Sequence, residues 1–165
     1  MRRLGSVATA VFGSLAAIVL LSGCPYRSDV PLDTPSTAVD SRLVGLWREE
    51  VSPSVAVYDI EADGEFGYKV AVKGDSGTTV YRAYLTPVGD HTYVNLRDGA
   101  DAGSYSLFRL EVADDGSTFT LHPVTENITE QFTQSADLRA FVAKNQDLSF
   151  FFEKPTRYVR AGQQP

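Results

Sequence analysis

The stretch EFGYKVAVKGDSGTTVYRAYLTPVGDHTYVNLRDG, residues 65–99, decides the fold. It holds three β-type runs, Glu65–Lys73, Thr78–Thr86 and His91–Arg97. Gly74-Asp75-Ser76-Gly77 and Pro87-Val88-Gly89-Asp90 separate them. Gly and Asp offer the backbone freedom and local hydrogen bonds that tight turns need. Hairpin-length spacers between β-branched and aromatic runs predict antiparallel neighbours. In the first run Phe66, Tyr68, Val70 and Val72 share one face. In the third, Thr92, Val94 and Leu96 oppose His91, Tyr93 and Asn95.

The pattern continues outward. Upstream lie Leu43–Glu50 and Ser54–Glu61, the latter closed by Ala62-Asp63-Gly64. Downstream, Ser104–Val112 and Ser117–Val124 flank Asp114-Asp115-Gly116. Ser106, Phe108, Leu110 and Val112 oppose Tyr105, Leu107, Arg109 and Glu111. Apolar groups on both faces require cover on both. The expectation is a mainly β domain, an antiparallel up-and-down meander closing into a barrel or a curved sheet. The C-terminal third supplies the outer cover. Ser135 can cap a helix through Asn145 that presents Leu138, Phe141 and Val142 at i, i+3 and i+4. Leu148–Glu153 and Thr156–Arg160 read as one or two closing strands. Phe150-Phe151-Phe152 either closes the core from two sides or exposes a partner site.

The N-terminus has a different character. Arg2 and Arg3 precede an apolar run from Val7 to Leu21, which ends in Leu21-Ser22-Gly23-Cys24. A charged start, an apolar middle and small residues at the end are the parts of a secretory signal. The run is about 15 residues, short of the roughly 18 that a spanning helix needs. Its last four residues resemble the lipobox of bacterial lipoproteins. The resemblance implies removal of residues 1–23, diacylglycerol on the thiol of Cys24, and often a further acyl chain on the new amine. Two or three chains anchor a protein stably where one does not. Pro25 follows the cysteine; in the sorting scheme of Gram-negative lipoproteins, the absence of Asp there leans toward the outer membrane, facing the periplasm, with the inner membrane as the alternative.

Cys24 is the only cysteine, so the secreted domain must hold together without disulfides. The chain carries a formal net charge of −6, and loss of Arg2 and Arg3 makes it more acidic still. Such a chain is a poor nucleic-acid binder. Anionic headgroups would repel it, which leaves membrane attachment to the anchor. Residues 24–41, with three prolines after Cys24, read as a flexible tether. Pro-rich chain at near 3 Å per residue would let the domain at 42–165 stand on the order of 40–50 Å off the bilayer.

Leu43-Val44-Gly45-Leu46-Trp47 resembles the Gly-x-Trp opening of lipocalin-like barrels. The resemblance implies that Gly45 lets the first strand bend on entry and that Trp47 plugs the closed end. Three further segments, Tyr81–Leu85, His91–Leu96 and Ser135–Phe141, are similar to small β-domains of poorly characterised bacterial lipoproteins, a group that brings no reaction with it. The chain is short for eight long strands, and the second lipocalin signature, a Thr-Asp-Tyr-like turn, is missing. Both argue against a large cavity.

Candidate chemistry is sparse. His91 and His122 are the two histidines and could share a metal with Asp90 or Asp114, but they lack His-x-His or His-x-x-x-His spacing. Ser, His and Asp occur without a Gly-x-Ser-x-Gly elbow. Asp63-Gly64-Glu65, Asp98–Asp101 and Asp114-Asp115-Gly116 lack the length of an EF-hand calcium loop and suit hairpin turns. No catalytic, cofactor or metal residue is therefore assigned. Tyr58, Tyr68, Tyr81, Tyr84, Tyr93 and Tyr105 could line an amphipathic pocket, each offering apolar area and a hydroxyl; packing across strands explains them equally. The expected role is a lipid-anchored, non-enzymatic envelope protein that binds a small apolar ligand or an envelope protein. The alternatives are an accessory or inhibitor protein working through its sheet face and, more remotely, an unrecognised hydrolase.

Overall fold

The computed structural model describes residues 25–51, 55–98 and 103–162. The segment read as a secretory signal, and Cys24, lie outside these residues. The chain is mainly β, with nine strands and one α-helix among the described residues. They are β1 (Arg27–Ser28), β2 (Gly45–Glu49), β3 (Val57–Ala62), β4 (Tyr68–Gly74), β5 (Gly77–Val88), β6 (His91–Asp98), β7 (Tyr105–Val112), β8 (Thr118–Pro123), α1 (Ser135–Asn145) and β9 (Thr156–Arg160). Strands β2 to β8 follow one another as an antiparallel meander, and β9 pairs with both β8 and β2. The sheet therefore closes into an eight-stranded barrel, which leaves no open edge among those strands. Even-numbered strands run upward and the odd-numbered strands β3 to β9 run downward, so the β2–β3, β4–β5 and β6–β7 connections lie at the top. No helix among the described residues is long and apolar enough to cross a membrane.

Period-two alternation sorts the side chains. Trp47, Tyr58, Ile60, Tyr68, Ala83, Leu85, Leu110 and Phe119 form one buried cluster inside the barrel. Val88, Tyr93, Leu107, Leu138, Val142 and Phe151 form a second cluster outside it, under α1 and the C-terminal segment. The helix buries Leu138 and Val142, four apart on one face. Its N-cap is Gln134, without a side-chain capping bond, so Ser135 opens the helix and does not cap it. Of the expected closing strands, Thr156–Arg160 forms as β9, whereas Ser149–Phe151 makes a 3-10 turn followed by a single bridge from Phe152 to Val124. In the phenylalanine run Phe151 is buried, Phe152 half-buried and Phe150 exposed.

The segment read as a free tether is instead a strap on the barrel. Arg27 and Ser28 pair with Ser106 and Tyr105 of β7, along the edge that β8 occupies further down. Tyr26 and Leu32 are buried at 3% and 1% exposure. The Leu32 N–H donates to Asn95 Oδ1 on β6 at 2.8 Å, and the Tyr84 hydroxyl on β5 donates to Asp33 O at 2.7 Å. Val39 N–H then donates to Glu65 O, and Asp40 N–H to the Tyr68 oxygen, at the bottom of the barrel. Prolines do not keep this stretch loose, because Tyr26 and Leu32 bury enough apolar surface, with Val30 beside them, to offset the cost of ordering.

Candidate functional site

The bottom of the barrel is closed by residues from both chain ends. A 3-10 turn at Ser41–Leu43 drops Leu43 into the interior. The Trp47 indole N–H donates to Leu43 O at 2.8 Å, and Trp47 is fully buried. Its ring meets Phe119 edge-on at 4.7 Å, and Phe119 stacks on Tyr158 at 4.6 Å. The guanidinium of Arg160 lies 3.9 Å from the centre of the Trp47 ring while donating to Val44 O and Arg42 O. A cation on an indole face with its other donors satisfied makes a strong local clamp. Gly45 takes φ +131°, and a Cβ there would sit 2.6 Å from Arg160 Nη1. This position needs glycine for both its conformation and its clearance. Nothing in the spacing of the sequence pointed to Arg160.

Above this floor the barrel is hollow. A cavity of about 470 Å³ runs from Leu43 up to Gly74 and Gly77. Its wall is apolar: Ile60 on β3, Val70 and Val72 on β4, Leu85 on β5, Leu96 on β6, Leu110 on β7. Ser76, Thr78 and Thr79 both line it and are exposed, so its mouth is at the top. The volume falls within the roughly 300–1,000 Å³ of small-molecule pockets. The expectation against a cavity rested on strand count and length; a closed eight-stranded wall leaves ligand-sized space when its inward residues are small enough, as Ala83, Val70, Val72 and Val94 are here.

Of the six tyrosines read as pocket candidates, the structure brings Tyr58, Tyr68 and Tyr81 to the cavity wall. Tyr84, Tyr93 and Tyr105 face outward, since their strands turn Ala83 and Leu85, Val94 and Leu96, Phe108 and Leu110 inward. Tyr84 and Tyr105 meet edge-on at 6.5 Å, and Tyr93 is buried in the outer cluster. Tyr58, one of the candidates, and Tyr158, which the reading of the sequence passed over as a pocket residue, supply phenols to the interior. Tyr58 donates to Glu49 Oε1 at 2.5 Å, and the two rings meet edge-on at 5.1 Å. Burial, reinforced by the neighbouring phenol for Tyr58 and by the Glu49 charge for both, pushes both hydroxyls above the usual tyrosine range. They stay neutral and able to donate. A Tyr on β3 and a Tyr on β9 become neighbours only through the closure of the barrel, which local patterning does not encode.

A second recess of about 440 Å³ lies on the outer wall between His91, Arg109, His122, Gln146 and Asp147. Its charges answer one another. Arg109 Nη2 and His122 Nε2 each stand 3.2 Å from Glu111 Oε1, although His122 Nε2 makes no aligned hydrogen bond, and His91 Nε2 is 4.0 Å from Asp147. The histidines thus face Glu111 and Asp147, and the pairing with Asp90 or Asp114 is not made. Among the described residues no three His, Cys, Asp or Glu side chains converge as a metal site would require. The Asp-Gly loops are turns: Asp63 N–H donates to Gly67 O and its carboxylate pairs with Arg82, while Asp115 accepts from Ser117 N–H and hydroxyl. The loop at Asp98–Asp101 falls largely outside the described residues.

Neither a protein-family model, nor a curated protein, nor a solved structure matches this chain.

Proposed function

We propose that this chain is a lipid-anchored envelope protein that binds a small apolar molecule inside its barrel and performs no chemistry on it. The observation that carries the reading is the hollow, apolar interior with its mouth at one end. An accessory protein working through its outer face would need no such space. The Tyr58 and Tyr158 phenols, already bonded to Glu49 and to each other, would meet a polar group on an otherwise apolar ligand only through their remaining acceptor capacity. The anchor reading adds the address, with acyl chains on Cys24.

Native mass spectrometry of gently extracted protein should show a bound mass beyond that of the lipidated chain, or uptake of a fluorescent fatty acid. Ala83→Trp fills the interior, and Thr79→Trp narrows the mouth from an exposed position. Both should cut uptake at least tenfold while leaving the far-UV spectrum unchanged. Uptake undiminished in both variants, or none in the parent, would remove the cavity from the function. Cys24→Ala should release the protein from membranes and abolish acyl labelling.

A further inference from the structure

The strap leaves almost no slack ahead of it. The Tyr26 N–H donates to Val124 O at 2.8 Å, and its hydroxyl donates to Glu130 O at 2.8 Å. The next two residues pair with Ser106 and Tyr105, the topmost part of descending β7, and Val124 follows the last residue of ascending β8. Cys24 is two residues upstream of Tyr26, which allows roughly 7 Å of backbone reach. The described chain therefore enters at the upper part of the barrel, the end at which the cavity opens at Ser76, Thr78 and Thr79, and acyl chains on Cys24 would start within that reach of it.

The two most exposed large apolar side chains lie in that region. Val51 and Val55, 90% and 80% exposed, border the β2–β3 connection at the top. Two apolar side chains so fully exposed beside the mouth offer a contact point there. An acyl-anchored protein with so short a leash brings one surface within reach, the bilayer that holds its acyl chains.

We infer that the mouth end of the barrel is seated on the lipid bilayer, and that an acyl-chain amphiphile exchanges between bilayer and cavity at this contact. The inference rests on the reading of Cys24 as a lipid anchor and of the barrel as a ligand site. A tether running freely from 24 to 41 would have left the domain's orientation unset; the docked strap fixes it.

The test uses the full lipidated protein in phosphatidylcholine vesicles doped with acyl-chain nitroxide lipid. A fluorophore is placed on Val55→Cys at the top or on Glu65→Cys at the bottom, both exposed; the lipidated Cys24 does not compete for the label. The top label should be quenched several-fold more than the bottom one. Equal quenching of membrane-bound protein, or stronger quenching at the bottom, overturns the orientation while leaving the anchor intact. Protein that stays in solution without acyl label overturns the anchor reading and the inference together. A pyrene-labelled fatty acid preloaded in the barrel should pass into acceptor bilayer faster from the parent than from a variant with a long Gly/Ser insertion between Pro25 and Tyr26. Equal rates overturn exchange at the contact; a barrel that never takes up the probe overturns the ligand reading alone.

Discussion

Asn95 faces away from the cavity yet is fully buried. Its Oδ1 accepts the Leu32 N–H of the strap, and its Nδ2 donates to Thr86 Oγ1 at 2.9 Å. Asn95→Ala leaves the Leu32 amide buried without that acceptor, and an unsatisfied buried group costs about 1–3 kcal/mol. Chemical denaturation should report a loss of that size, and hydrogen exchange should quicken across residues 29–38. Faster exchange confined to the barrel strands would contradict the role. In the sequence Asn95 is one polar member of an outward row, and its value comes from a segment that lies 63 positions away. Gly45 and Trp47 were legible because a short motif carries them. Arg160, which completes their clamp, was not, because its position over the indole depends on β9 closing against β2.

Strands and turns were read well from β2 to β8 because period-two alternation and Gly-Asp punctuation are local signals. The helix was legible for the same reason. Its buried Leu138 and Val142 bind α1 to the outer wall. Leu138→Ala at a fully buried position should cost about 2–5 kcal/mol, measured by denaturant midpoint, with the closed barrel retained in the near-UV signal of Trp47. Loss of the Trp47 signal at the same denaturant concentration would show that cover and barrel fold as one unit. The strap was misread for a physical reason. Its composition is that of a linker, and its anchoring residues, Tyr26 and Leu32, are too few and too far apart to make a periodic pattern. Alternation already set Tyr93 against Val94 and Leu96 and Tyr105 against Phe108 and Leu110; with apolar groups on both faces, which face lined the interior became legible only once the strands were paired.

The whole molecule stands on two apolar clusters with one barrel wall between them, and tyrosines are built into both. Burial raises the hydroxyls of Tyr26, Tyr58, Tyr68, Tyr84 and Tyr158, and pushes that of Tyr93 up to about 12. A raised folded value means that the native state holds its protons while the unfolded chain begins to lose them near pH 10. Stability is therefore complete below that pH and falls as pH climbs through 10 toward 12. Alkaline titration should show tyrosinate absorbance rising together with loss of the Trp47 near-UV signal. Full tyrosinate formation in a still-folded protein would refute this. Mechanical load is where the strap matters again. Tension applied at residue 25 meets a two-residue strand and a few isolated hydrogen bonds before it meets the closed wall. Under force the strap should peel first, paying out about 50 Å of chain for some 14 residues, while the barrel stays shut. Single-molecule pulling from the N-terminus should resolve this as a small early rip ahead of one large one. The strap would then serve as a fuse, yielding under strain and redocking when it passes.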